Sequence, residues 1–90
     1  MNDDKFSELR KKLNETQTYP TVYMFKFIMD AENRKIALVE NLFGENAEIH
    51  IKESDKGKYI SITIKEVMMS TDEIINIYVK ASDIKGVMVL

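Results

Sequence analysis

Along this chain the apolar positions keep changing rhythm, and each change marks an element. Over residues 3–15, Phe6, Leu9 and Leu13 fall at helical spacing, with Asp3 and Asp4 where acids favour a helix N-terminus and Arg10, Lys11 and Lys12 toward the other end. A short amphipathic leader helix is expected there. Residues 16–18 interrupt the pattern, and Pro20 holds Tyr19 extended while removing a backbone donor, which suits the first residue of a strand. The run TVYMFKFIM over residues 21–29 is aromatic, β-branched and apolar on both alternating sets, as a central strand is. Tyr23, Phe25 and Phe27 then point to one face, and Val22, Met24, Lys26 and Ile28 to the other. Only the second set carries a charge, so the aromatic set is expected beneath the helices.

After the strand, Asp30 is a candidate cap for a helix bearing Ile36, Leu38, Val39, Leu42 and Phe43, ended by Gly44. Residues 47–52 alternate, with Ile49 and Ile51 inward against Glu48, His50 and Lys52 outward, the pattern of a half-buried strand. Asp55, Lys56 and Gly57 supply a hairpin turn, and residues 59–67 resume the alternation with Ile60, Ile62 and Ile64 inward and Tyr59, Ser61, Thr63 and Lys65 outward. Ser70 or Thr71, followed by Asp72 and Glu73, starts a helix whose apolar stripe is Ile74, Ile77, Tyr78 and Ala81. Lys85 and Gly86 end it, and GVMVL reads as a last strand. The expected architecture is α+β: a ferredoxin-like βαββαβ sandwich with a four-stranded antiparallel sheet in the order 4-1-3-2, two helices on one face, and the leader helix added in front. Residues 1–18 form the leader and residues 19–90 the domain in this scheme.

Composition narrows the function classes. Ninety residues make one core, and the apolar and charged fractions, 44% and 31%, are those of a folded chain. A net charge of −2 lacks the positive field by which nucleic-acid binders neutralise phosphate. With no cysteine, thiolate metal sites, disulfides and cysteine nucleophiles are excluded. No apolar run suits a signal peptide or a membrane span, so the cytoplasm is the expected location.

Candidate chemistry is sparse. His50 is the only histidine; Glu48 and Glu53 could add oxygen ligands, but no ligand spacing recurs, and a surface histidine is the favoured reading. The acids are spaced as solvated faces and caps, and no phosphate-binding glycine motif or nucleophile elbow occurs. No catalytic residue, metal or cofactor is expected, and the chain is read as a non-enzyme. The segment from Lys56 to Ile62 invites comparison with the aromatic signature of RNA-recognition motifs. That signature needs alternate aromatics off the open face, and this strand offers only Tyr59. The open face itself is apolar: Val22, Met24 and Ile28 are joined by either Val87 with Val89 or Met88 with Leu90. Such a surface marks an interaction site unless the leader helix folds over it. Met24, Met68, Met69 and Met88 suit cores and adaptable interfaces equally. The candidate interaction surface is Val22, Met24, Lys26 and Ile28 with Tyr59, Ser61 and Thr63.

Tyr19-Pro20-Thr21, Phe25-Lys26, Ser54-Asp55-Lys56-Gly57-Lys58-Tyr59, Ser61-Ile62-Thr63, Ile84 and the terminal Val87-Met88-Val89-Leu90 together resemble the YbeD-like family of small bacterial proteins, a family without an assigned function. The resemblance spans residues 19–90. It implies an ACT-like ferredoxin fold, similar to regulatory domains that bind small effectors, and assigns no catalytic residue. On that analogy Asp30, Glu32 and Asn33 are candidates for an effector-binding turn. The turn reads Met29-Asp30-Ala31-Glu32, without the glycine that lets backbone approach an amino-acid ligand in many ACT domains. The expected function is therefore a regulatory or interaction module, self-associating or docking a protein partner through the open sheet face. A sensor of an amino-acid-like effector is the alternative, and an RNA-binding module the second.

Overall fold

A computed structural model describes residues 5–54 and 56–90. The elements are α1 (Ser7–Thr16), β1 (Thr21–Asp30), α2 (Asn33–Glu40), β2 (Glu48–Glu53), β3 (Tyr59–Met68), α3 (Thr71–Ser82) and β4 (Val87–Val89). The sheet is antiparallel throughout in the order β2-β3-β1-β4, which is the expected ferredoxin-like topology. Asp3, Asp4 and Asp55, assigned above to a helix start and a hairpin turn, lie outside the described residues.

One face of the sheet is the core. Phe25, Phe27 and Met29 of β1 and Ile60, Ile62, Ile64 and Met68 of β3 are buried with Val39 of α2 and Ile74, Ile75, Ile77 and Ala81 of α3. Phe25 meets Phe43, just past α2, at 5.2 Å and Tyr78 of α3 at 5.6 Å between ring centroids. Each such side chain contributes roughly 1.5–3 kcal/mol on leaving water. Ser70 caps α3 by accepting from the Glu73 N–H, and the Glu73 carboxylate accepts in turn from the Met69 N–H. These exchanges satisfy donors that a helix start leaves open.

The placement of α1 decides what happens to the other face. Leu13 is buried in the core, Phe6 lies 6.0 Å from the Tyr78 ring, and Arg10 pairs with Asp72. Asn14 accepts from the Thr71 hydroxyl, which also bonds Tyr19. The leader helix therefore joins the helical layer beside α3 and does not fold over the open face.

Three local expectations are corrected. Asp30 ends β1 instead of capping α2, whose first flanking residue is Glu32, with no side-chain cap. The helix stops at Glu40, short of Gly44, which lacks the left-handed conformation of a helix-ending glycine. Gly44 instead makes room for Glu66: its N–H donates to the carboxylate at 2.9 Å, and a Cβ there would stand 3.0 Å from the same oxygen. Third, Ile49 and Ile51 do share the core-facing side, opposite Ile64 and Ile62, yet stay 37% and 48% exposed. β2 lies at the sheet edge, beyond the cover the helices give, and every residue of it is exposed. Leu38 is likewise exposed.

Candidate interaction surface on the open sheet face

Strand alternation and register place the candidate residues together. Val22, Met24, Lys26 and Ile28 lie on the open side of β1, and Tyr59, Ser61 and Thr63 on the open side of β3. Cross-strand pairing sets Lys26 opposite Thr63, and Ile28 opposite Ser61 on one flank and Met88 on the other. The choice left open at the C-terminal strand is settled: Val87 and Val89 oppose Met29 and Phe27 on the core side, so Met88 is on the open side. Leu90 donates its N–H to the Lys26 carbonyl at 2.9 Å and continues that side.

The face is apolar at both ends and charged between them. At one end Val22 opposes Val67 and Met24 adjoins them; at the other, Ile28 and Met88 are paired near Tyr59. Val22 is 65% exposed, Met24 56%, Val67 54% and Met88 60%. Lys26 and Lys65 stand between, with Glu48 opposite Lys65 on β2. A groove of about 260 Å³ runs along the hairpin end of this face, lined by Ile28, Lys52, Ser54, Tyr59 and Ser61 among others. Val67 and the polar row Glu48, His50 and Lys52 belong to the same surface and were not in the candidate set. Their signal was available, since each shares the outward parity of its strand. Of the methionines weighed between core and interface, Met68 is buried while Met24, Met69 and Met88 are exposed. Tyr23 lies on the core side, its hydroxyl 3.2 Å from that of Tyr78. Tyr59 is thus the one aromatic on the open face of the two central strands.

The candidate effector turn has a different character. Lys35 reaches back from α2 to Asp30 at 3.3 Å and to Glu32 at 3.4 Å. Burial acts to lower the pKa of this ammonium, but the hydrogen bond and charge of Asp30, then those of Glu32, outweigh it and hold it above its ordinary value. The lysine also lies against the turn before β4, where a Cβ on Gly86 would come within 2.6 Å of its Nζ. Asn33 is the exposed first residue of α2. The two carboxylates therefore already hold an internal cation.

His50 lies 3.7 Å from Glu48, both well exposed. Among the described residues no cluster of three histidines or acids is arranged to hold a metal, and no helix is long and apolar enough to cross a membrane.

Comparison with known proteins agrees with the resemblance noted from the sequence. The family described as "Protein of unknown function (DUF493)" matches residues 14–90. The chain belongs to this family. Among the similar proteins are UPF0250 proteins of Shewanella oneidensis, 31% identical, and Shewanella putrefaciens, 32% identical, each in an alignment 83 residues long that covers 88% of this chain and 94% of the relative. No solved structure matches it. The DUF493 family carries no assigned activity, so neither its name nor its relatives' names supply a substrate or a partner.

Proposed function

We propose that this DUF493 chain is a small non-catalytic interaction module that docks a protein partner on its open sheet face. The observation carrying it is the segregation of layers: α1, α2 and α3 all lie on one side, leaving two apolar ends on the other, exposed Val22, Met24 and Val67 at one and exposed Met88 beside Ile28 at the second. Clustered exposed apolar side chains of this kind usually mark an interaction site. Its two flexible thioethers adapt to a partner's contour. Lys26 and Lys65 at the middle suit a partner presenting carboxylates flanked by apolar side chains. Sensing of an amino-acid-like effector at Asp30, Glu32 and Asn33 draws less support, because Lys35 already occupies the acidic pair.

A photo-reactive side chain placed at Met24 or Met88, compared with one at exposed Arg34 on the helical layer, tests the proposal in cells. A defined protein is expected to be captured from the two sheet positions and lost when Val22→Glu is added. Equal capture from position 34, or capture indifferent to Val22→Glu, refutes it.

A further inference from the structure

The exposed edge strand β2 carries a pattern that is complementary to itself. Its backbone polarity can be worked out from the hairpin. Ser54 donates its N–H to the Tyr59 carbonyl at 2.8 Å on the ladder that pairs Glu53 with Ile60, so position 54 is turned toward β3. Alternation along the strand then turns 52, 50 and 48 the same way and leaves the N–H and C=O groups of Ile49, Ile51 and Glu53 facing outward, unpaired by the sheet. A second antiparallel strand added here must set outward-facing positions opposite outward-facing positions. When the added strand is another β2 related by a two-fold axis, only registers centred on a single residue satisfy that requirement.

Centred on His50, the apolar and the charged pairs are both complementary, and Glu53 falls opposite Ala47. Ile49 opposes Ile51 of the second copy and exchanges main-chain hydrogen bonds with it, while both side chains lie on the helical side, where they are 37% and 48% exposed in the single chain. Glu48 opposes Lys52 of the second copy on the open side, and the two His50 rings meet at the axis, where Cα atoms of such a pair stand about 4.5 Å apart. Moving the centre to Ile51 sets Ile49 against Glu53 and His50 against Lys52; moving it to Ile49 sets Lys52 against Asn46. Neither keeps both the apolar and the charged pairs. The strand also lacks two of the devices that blunt an edge, a proline and a bulge in its register, and its one charge on the core-facing side, Glu53, stands at the strand's end beyond the pairs from 48 to 52. The opposite edge, β4, is only three residues long and does not invite a chain of additions.

We infer that the protein forms a two-fold dimer by pairing β2 with β2 of a second copy about His50, joining two four-stranded sheets into one of eight strands. Both helical layers fall on one side and both open faces form one continuous surface on the other. The inference concerns a different surface from the open-face docking proposed above and does not rest on it.

Charge reversal at exposed positions supplies the test. Glu48→Lys and Lys52→Glu each replace two attractive cross-copy pairs by two repulsive ones, and each is expected to weaken the dimer roughly tenfold or more in sedimentation equilibrium. The double variant E48K/K52E restores complementarity and is expected to dimerise like the parent. A mixture of the two single variants is expected to form heterodimers by native mass spectrometry, because positions 48 and 52 are then both lysine on one copy and both glutamate on the other, so each pair across the axis is again of opposite charge. That rescue separates the dimer contact from any effect of Glu48 on Lys65 within one sheet, since a misfolded chain gains nothing by mixing. A parent chain that stays monomeric up to about 1 mM overturns the inference. So does a dimer indifferent to both reversals; if that dimer is lost on Val22→Glu, the contact lies on the open face instead.

Discussion

Thr71→Val is the most direct perturbation of the contact that keeps α1 off the open face. The Thr71 hydroxyl is 2.7 Å from both the Tyr19 hydroxyl and the Asn14 side-chain oxygen, and the residue is 7% exposed. A hydroxyl has one proton, and an amide oxygen can only accept, so Thr71 donates to Asn14 and the Tyr19 phenol donates to Thr71. The relay ties α1, the segment before β1 and the first turn of α3 to one atom. Valine keeps the shape and deletes both bonds. Each bond contributes about 1 kcal/mol net; the exposed Asn14 oxygen regains water, whereas the half-buried Tyr19 donor does so incompletely. The expected loss is about 2 kcal/mol, which in a domain of this size lowers Tm by roughly 8–16 °C. Thermal unfolding followed by circular dichroism measures it, with Thr71→Ser as the variant that keeps the hydroxyl. Because Tyr19→Phe removes one of the same bonds, the double variant should fall short of additivity by about 1 kcal/mol. A loss under about 0.5 kcal/mol for Thr71→Val, or strict additivity with Tyr19→Phe, refutes the relay.

Two further outcomes follow from single residues. Burial, then the Tyr23 hydroxyl, pushes the Tyr78 phenol well above its ordinary value, so the folded state holds that proton more tightly than the unfolded chain. Stability from this group is complete below about pH 10 and declines as pH rises beyond it; ultraviolet titration should show one tyrosine ionising only on alkaline unfolding, a step absent from Tyr78→Phe. Gly86 adopts φ +84° with Lys35 against it, so Gly86→Ala should cost about 1–2 kcal/mol in urea unfolding. Lys35→Met should recover less than half of that if the backbone conformation dominates; full recovery would place the cost in the lysine contact.

Much of the fold was legible because direction along a strand or helix is a local property. The aromatic side of β1, the buried isoleucines of β3 and the Ser70 start of α3 follow from periodicity and capping chemistry alone. Cover is not local. Alternation correctly turned Ile49 and Ile51 toward the core side, but whether a helix reaches the edge strand depends on the length and path of α2, which no pattern within β2 reveals. The amphipathic spacing of Phe6, Leu9 and Leu13 announced a helix needing a surface and was equally compatible with either face of the sheet. The deciding groups, Thr71 and Tyr78, lie more than fifty residues away. Lys35 was missed for the same reason: its pairing with Glu32 is a helical neighbour contact, while its packing on Gly86 joins distant parts of the chain. The candidate surface was legible as a set of parities, and its division into two apolar ends with lysines between became visible only with the register.

Exposed apolar atoms alone would say little, because more than half the accessible surface of any folded chain is apolar. What distinguishes this face is arrangement: Val22 and Val67 are directly opposed, as are Ile28 and Met88, with lysines between the two ends. The sheet edge beside it has the complementary property that its isoleucines are symmetric about His50 while the flanking charges, Glu48 and Lys52, are opposite in sign. Each feature stands without the other, yet together they have a geometric consequence. Pairing through β2 leaves the open sides of β1 and β4 untouched and presents them twice, once from each copy, on one side of a single sheet. A partner with two matching segments would then meet its second site at a high effective concentration, so that two modest contacts could hold it without any one being strong. The spacing between the sites is set by four strands on either side of the axis, each about 4.8 Å wide, rather than by a flexible linker. Two small domains would thereby gain selectivity for partner length, which neither has alone.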